Sequence, residues 1–275
     1  LRRWFNVEVR VLHHEVATAG QVEVNFEPGS VTSTADRLQT LKYAARMTAY
    51  TTGLTATFMP KPLAGDNGSG LHIHVSLWRG EYNIFYDEAD RYAELSQEAR
   101  YFIGGILEHA SSLAAITNPT VNSYRRLVPG YEAPVYVAWG RSDRSAMVRL
   151  PVYHGSRPEA RRIEVRSPEP SSNPYLALPA VVLAGLDGIR RKIEPGDPVD
   201  RNLYSLTRDE RRRLGVGELP RSPWEALDAL ESDHSWLLPA FPRGLVEAYI
   251  DLKRGEARRL AGIPSPSEAY YYLGA

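Results

Sequence analysis

The sequence predicts an α+β domain rather than a regular doubly wound sheet. Three observations carry this: short alternating strands, helices set between them at uneven intervals, and no internal repeat or low-complexity segment in 275 residues. Leu1 to Phe5 read as the last turn of a helix. Val7 to Phe26 alternate and are rich in β-branched residues around a central Ala19-Gly20, which predicts a strand, a bend and a second strand. Leu38, Leu41, Ala45 and Thr48 fall at helical spacing, so Thr34 to Thr52 should form a helix with one buried face, capped by Thr34 and stopped by Gly53. Thr55 to Met59 reads as a short strand, Pro60 to Gly70 as a loop, and Leu71 to Trp78 as another strand. Ser96 to Ile116 is read as one helix with Phe102, Ile103, Ile106 and Leu113 inward. Asn118 to Pro134 has many turn residues and few apolar anchors, the pattern of a functional lid. Strands are expected at Val135–Trp139, Ala146–Pro151 and Arg162–Arg166. Asn173-Pro174 caps a helix that runs to about Lys192, with Pro179 removing one backbone donor, and Pro223–Glu231 and Leu245–Leu260 are helical.

Composition narrows the function. Lys+Arg 33 balance Asp+Glu 33, so the basic footprint of a nucleic-acid binder is missing. Only Lys42, Lys61, Lys192 and Lys253 are lysines, which leaves an arginine-rich set of cations suited to planar anion contacts. Cysteine is absent, which excludes disulfides and thiol catalysis and suits a reducing compartment, so the cytoplasm is expected. No window approaches the roughly 18 apolar residues of a membrane span, and no membrane partner is expected.

The chemistry-bearing residues sit on predicted strands. Period two puts Arg162, Glu164 and Arg166 on one face with Ile163 and Val165 behind. Alone, that pattern describes a solvated edge strand with a surface ion-pair ladder. In Leu71 to Val75 the same parity pairs His72 with His74, and two such half-ionic strands point to a charged cleft. Glu15 and Glu23 lie eight apart across the bend, each beside valine, and carboxylates in apolar surroundings need cations. Hard divalent ions, Mg²⁺ or Mn²⁺, fit a set of Glu15, Glu23, Glu164 and one histidine. Arg126, Arg144, Arg149, Arg162 and Arg166 flank these segments, and guanidinium groups around a divalent metal suit phosphoryl transfer from a nucleotide. Neither a Walker A motif nor G-x-G-x-x-G is present; Gly65 to Gly70 has the wrong spacing and no following helix.

Five ordered segments, His13 to Gln21, Phe58 to Pro62, Asn67 to His74, Asn118 to Tyr124 with Tyr131 to Pro134, and Arg162 to Pro168, closely resemble the catalytic domain of bacterial type I glutamine synthetases. The likeness runs from Val9 to Tyr272. It implies a glutamine synthetase/guanido kinase-like fold, a curved antiparallel sheet (a partial barrel) flanked by helices. It also implies ATP-dependent ligation of ammonia to the γ-carboxylate of glutamate through γ-glutamyl phosphate, with two divalent cations (Mg or Mn). By position, Glu15 and Glu23 are similar to ligands of the metal on the glutamate side, and His72 and Glu164 to ligands of the metal that orients the ATP phosphates. Asn67, Gly68 and Arg126 resemble contacts to the amino acid, Arg126 to its α-carboxylate. Glu132 resembles the flap acid that covers the intermediate and takes a proton from ammonium. Arg144 and Arg166 match arginines that stabilise the transferring phosphoryl group, Arg166 also facing the substrate, while Ser76, Arg144, Arg149 and Arg162 fall at nucleotide positions.

The resemblance further implies a chain of 1–275 that is an incomplete catalytic domain. The family's upstream β-grasp domain and first catalytic strand, with a Glu-x-Glu pair, are missing, so the isolated chain is expected to be inactive. The full-length family forms dodecamers. Glu159 stands where many relatives carry a basic residue, and Tyr204 lies where some are adenylylated but reads here as structural. Two other readings share the pattern: a γ-glutamyl-amine (polyamine) ligase and a non-catalytic assembly protein. The lid residues favour ammonia over bulkier amines, and the retained acidic and arginine positions oppose a scaffold.

Overall fold

The structure is a computed structural model and describes residues 1–141, 144–152 and 157–268. One helical turn, α1 (Arg2–Phe5), precedes a hairpin of β1 (Val9–His14) and β2 (Val22–Phe26), and α2 (Val31–Thr51) follows. After a long loop come β3 (Ile73–Val75), the small hairpin β4 (Trp78–Arg79) and β5 (Tyr82–Asn83), then α3 (Gln97–Glu108), α4 (Ala110–Thr117) and the short α5 (Ser123–Arg126). Strands β6 (Tyr136–Arg141), β7 (Ala146–Leu150) and β8 (Ile163–Val165) lead to α6 (Pro174–Arg191). The chain continues through α7 (Arg208–Arg213), β9 (Gly217–Glu218), α8 (Pro223–Ser232) and α9 (Arg243–Ala261).

The main sheet has the order β3-β8-β7-β6-β9, and the β1–β2 ladder stands apart from it. All its neighbours are antiparallel except β6 and β7, which run parallel from Tyr136↔Ala146 to Arg141↔Leu150. The antiparallel sheet expected from the resemblance is thus present in three of the four pairings, with β6–β7 the parallel exception that makes the sheet mixed. Alternation fixes which side chains share a face but says nothing of strand direction. Ile163, Val165 and Val148 turn inward onto α3, α4 and α6, whose Phe102, Ile106, Leu113 and Val181 complete the core.

Several expected elements differ. The cap of α2 is Ser30, whose side chain accepts from Ser33 N, one turn before Thr34. Only Ala35 of that helix is buried; Leu38, Leu41 and Ala45 are half-buried and Thr48 is exposed, so the expected buried face is shallow. Residues 55–59 form no ladder and are largely exposed. The expected helix from Ser96 to Ile116 is two, broken at His109. Four elements had no sequence expectation: β5, α5 within the expected lid, α7, held by a Thr207–Glu210 capping box, and β9. The end of the likeness, 269–272, lies outside the described residues.

The α3–α6 contact is made by glycines. A Cβ on Gly105 would lie 2.1 Å from Ala184 O and 2.6 Å from Gly188 N, and one on Gly188 2.1 Å from Tyr101 O. Beside it, the break at His109 has its own lock. Nδ1 lies 2.7 Å from Asp233 Oδ2 and Nε2 2.9 Å from Asp187 Oδ2, and the ring stacks on Trp236. Carboxylates on both nitrogens require both to donate, so His109 is an imidazolium. Burial alone lowers its pKa, but the hydrogen bonds to Asp233 and Asp187 outweigh this and raise it, while His109 holds both carboxyls below their usual range against their own burial. Arg190, Arg191 and Ser112 also face these carboxylates.

A raised folded pKa means that the His109 contribution is full below its unfolded value near 6.5 and fades as pH rises through the folded value. His109→Gln should therefore cost about 3–5 kcal/mol at pH 6, with the gap to wild type narrowing at alkaline pH. Urea midpoints across pH 6 to 10 check this, and a pH-independent gap would contradict it.

Candidate active site

Glu164 is the centre of the charged face. On β8 it lies opposite His74 of β3 on one side and Arg149 of β7 on the other. The Glu164 side chain is about 3% exposed and meets Arg166 Nη1 at 2.7 Å, Arg149 Nε at 3.0 Å and His72 Nδ1 at 3.3 Å. Arg166 is itself buried, so the solvated surface ladder is overturned: this is an interior ion cluster. The same-face expectation for Arg162, Glu164 and Arg166 is met differently at its ends. Arg162 turns to His74, its Nε donating to Nδ1 at 3.0 Å, while Arg166 turns inward.

Burial, then the Arg166 and Arg126 guanidinium groups, hold His72 well below the usual imidazole pKa, which leaves it neutral with a lone pair to offer. Burial also lowers His74, against the pull of Glu164 and Glu23. Among the described residues, Glu164 Oε2 has no hydrogen-bond donor despite its burial and lies 3.0 Å from Arg149 Nε.

Glu15 and Glu23 converge in a second group. Glu23 sits across the ladder from His13, whose Nε2 is 3.6 Å from Glu23 and Nδ1 3.5 Å from Glu15. The ligand atoms of all three lie within 4.8 Å of one another. A hydrogen bond from Glu15 to Glu23 raises the Glu15 pKa, whereas Glu23, though burial pushes it up, is lowered by Glu15, Asn25 and His13. Two carboxylates this close share a proton when no cation is present. The expected single set of Glu15, Glu23, Glu164 and a histidine is thus two groups. They are linked through His74, on which the charges of both Glu164 and Glu23 act. The missed member is His13, and strand parity with Glu15 carried its signal.

Both groups suit a hard divalent ion: carboxylate oxygens with one imidazole each, and on Glu164 a buried oxygen without a hydrogen-bond donor among the described residues.

Around them the loops form a cradle. Arg126 is fully buried, donating to Ser167 O at 2.9 Å and Arg166 O at 3.1 Å, and burial pushes its pKa down to about 10. A Cβ on Gly68 would strike Pro60 O at 2.4 Å and the Arg126 stem at 3.0 Å, and one on Gly70 would strike Arg126 Nη2 at 2.7 Å and His72 Nε2 at 2.9 Å. Glycine there keeps open the space between a buried cation and the His72–Glu164 pair. The described contacts of Asn67 and Ser76 are local, to Asp66 and Trp78.

Only part of the expected lid stands free. Tyr124, Leu127 and Ala133 are buried, Asn118 Nδ2 donates to Ser167 O, and Ser123 Oγ donates to the buried Glu169, so the loop has the anchors its sequence hid. Its exposed crest carries Glu132 at φ 56°, whose carboxylate meets Arg144 Nη1 at 3.1 Å through both oxygens. Arg166 Nη2 reaches Glu132 O at 3.5 Å, joining crest to cluster. Tyr204 is occupied structurally, its hydroxyl donating to Ala133 O, and Glu159 is exposed.

Comparison with known proteins agrees with this geometry. Residues 3–272 match the family described as glutamine synthetase, catalytic domain. The chain is 53% identical over 271 residues to glutamine synthetase of Sulfolobus acidocaldarius and 51% identical over 270 residues to that of Streptomyces coelicolor, covering 98% and 97% of this chain. It spans 57% of the length of each of these relatives. Among solved structures, Plasmodium falciparum glutamine synthetase superposes with a TM-score of 0.86 at 34% identity, covering 97% of this chain and 58% of that one. GmaS in complex with ADP gives 0.85 at 34% identity, covering 97% and 60%. By sequence and by structure, the chain belongs to the glutamine synthetase catalytic-domain family.

Proposed function

We propose that this chain is the catalytic part of an ATP-dependent glutamate–ammonia ligase. One observation carries the reading: Arg144, Glu132, Arg166, Glu164 and His72 form, in that order, an unbroken series of contacts from an exposed loop to a buried carboxylate–imidazole pair. A reaction that must cover an acyl phosphate and also neutralise its phosphate needs those two things joined.

In this reading Arg126, at the floor of the glycine cradle, binds the α-carboxylate of glutamate, and Asn67 and Gly68 bound the same amino acid. An oxygen of the γ-carboxylate attacks the γ-phosphorus of ATP, and ADP leaves. Arg144 and Arg166 stabilise charge on the phosphoryl oxygens, with Arg149, Arg162 and Ser76 on the nucleotide. Ammonia then attacks the acyl carbon, phosphate leaves, and the proton goes to Glu132, which the Arg144 contact holds in place. Glu15 and Glu23, with His13, would hold one divalent cation, and His72 with Glu164 another. When bound, such ions neutralise phosphate charge and polarise the transferring group. The reading extends to a homo-oligomer, a dodecamer as in the full-length family, in the cytoplasm, for which the cysteine-free composition is the support. Light scattering measures the first. No helix among the described residues is long and apolar enough to cross a membrane.

The deciding experiment is ATP turnover by the full-length gene product carrying this chain, with glutamate plus ammonia or plus putrescine. Stimulation by ammonia supports the reading, by putrescine the amine-ligase alternative, and by neither the scaffold. Independently, Glu23→Gln should weaken Mn²⁺ binding in calorimetry by more than the roughly 10–100-fold typical of an outer-shell change, and an unchanged isotherm would remove Glu23 from the site.

A further inference from the structure

Three chain segments that bear the site residues meet at one lysine that the mechanism above does not use. Lys61 is half-buried, and its backbone is clasped on both sides by the Asn122 side chain: Lys61 N donates to Asn122 Oδ1 at 2.8 Å, and Asn122 Nδ2 donates to Lys61 O at 3.0 Å. Its ammonium donates to Asp66 O and stands 3.6 Å from the centroid of the Tyr131 ring. Asp66 is in turn fixed by the β1–β2 turn, its Oδ2 accepting from Thr18 N at 2.9 Å and Thr18 Oγ1 at 2.7 Å, and its Oδ1 accepts from Asn67 N at 2.8 Å.

We propose that Lys61 is a positioning residue that latches the crest carrying Glu132 through the face of Tyr131, tying it to the turn between Glu15 and Glu23. The inference rests on the ligase reading for its purpose but not for its geometry. Tyr131 directly precedes Glu132, which occupies the left-handed region at φ 56°, and follows Gly130 at φ 96°. A non-glycine residue persists in that conformation only where its surroundings hold it. The crest's other described side-chain contacts grip Glu132 itself, Arg144 at its carboxylate and Arg166 at its carbonyl, or the residue after it, Tyr204 at Ala133 O. Lys61 supplies the grip on the preceding residue. A partly desolvated ammonium over an aromatic face is attractive because the ring's face is negative, and burial here holds the lysine below its usual pKa. The contact needs the ring but not the hydroxyl, and the charge but not the stem.

Those two requirements define the test. Hydrogen–deuterium exchange is followed in the full-length gene product for the peptide covering 128–133, with a peptide of α3 as internal control. Lys61→Met and Tyr131→Leu are each expected to speed exchange of the crest by about 5- to 30-fold, with the double variant no faster than either single one and α3 unchanged. Tyr131→Phe, which keeps the ring, should behave as wild type. The latch is overturned if Lys61→Met leaves the crest unaffected, if Tyr131→Phe loosens it as much as Tyr131→Leu, or if the two singles add. Where ammonia-stimulated turnover is present, the loosening variants should lower kcat while leaving KM for ATP near its original value. An exchange effect without turnover in any variant would sink the ligase reading and leave the latch standing.

Discussion

Replacing Glu164 by alanine is expected to destabilise the fold by about 3–5 kcal/mol and to abolish turnover, the largest loss for any single residue of the site. Its carboxylate is the common partner of Arg166 and Arg149 and a neighbour of neutral His72. Removing it leaves the Arg166 guanidinium, a side chain about 4% exposed, without its carboxylate. Glu164→Gln separates the two effects. It preserves volume and one acceptor, so its urea midpoint should fall less than that of Glu164→Ala. Turnover should still drop by about 10²–10³-fold or more, because in the proposed reading the lost charge belongs to the phosphate-side group. A Glu164→Gln enzyme with near-normal turnover would show that the carboxylate is structural alone.

Gly105→Ala and Gly188→Ala should each cost about 3 kcal/mol or more, beyond the usual range for overpacking. The added methyl meets Ala184 O at 2.1 Å in the first and Tyr101 O at 2.1 Å in the second, and these are helix backbone atoms with no rotamer to escape into. The helices must separate, and every core side chain between them loses contact. Gly185→Ala meets the ring of the fully buried Phe102 at 2.3 Å, so it too should destabilise. Gly255→Ala, in α9 with nothing within 4 Å of the new atom, should instead stabilise by about 0.5–1 kcal/mol. Thermal melts of the four variants compare the signs. Equal effects for Gly105 and Gly255 would mean that the helices are not in contact.

The helices α3, α6, α8 and α9 were legible because each has apolar residues at helical spacing and a visible boundary residue, such as Ser96 or Asn173. Strand β8 was legible as an alternating face, but the depth of that face was not. Periodicity cannot distinguish an ion ladder in water from one in the interior, and the partners that bury Glu164 come from His72 and Arg149, remote in sequence. The parallel pairing of β6 and β7 was hidden for a similar reason. The break at His109 depends on Asp187 and Asp233, far along the chain, so local propensity saw an unbroken helix. Residue types identified the acids and arginines, whereas their division into two groups joined through His74 is a property of the sheet. Lys61 was given no role because a lone lysine in a proline-rich loop has no periodic signal at all.

The fastening of Asn118 and Ser123 to the segment after β8 changes the thermodynamics of covering a bound substrate. A loop loose from 118 to 134 would surrender chain entropy at about 1–2 kcal/mol for every residue it immobilised. With its first half already committed during folding, at most 128–132 remains to be arrested, and in the proposed ligase the entropic toll of each cycle shrinks about threefold or more. If the ligase reading holds, more of the intrinsic affinity for glutamate is then left over to hold the reactants in register.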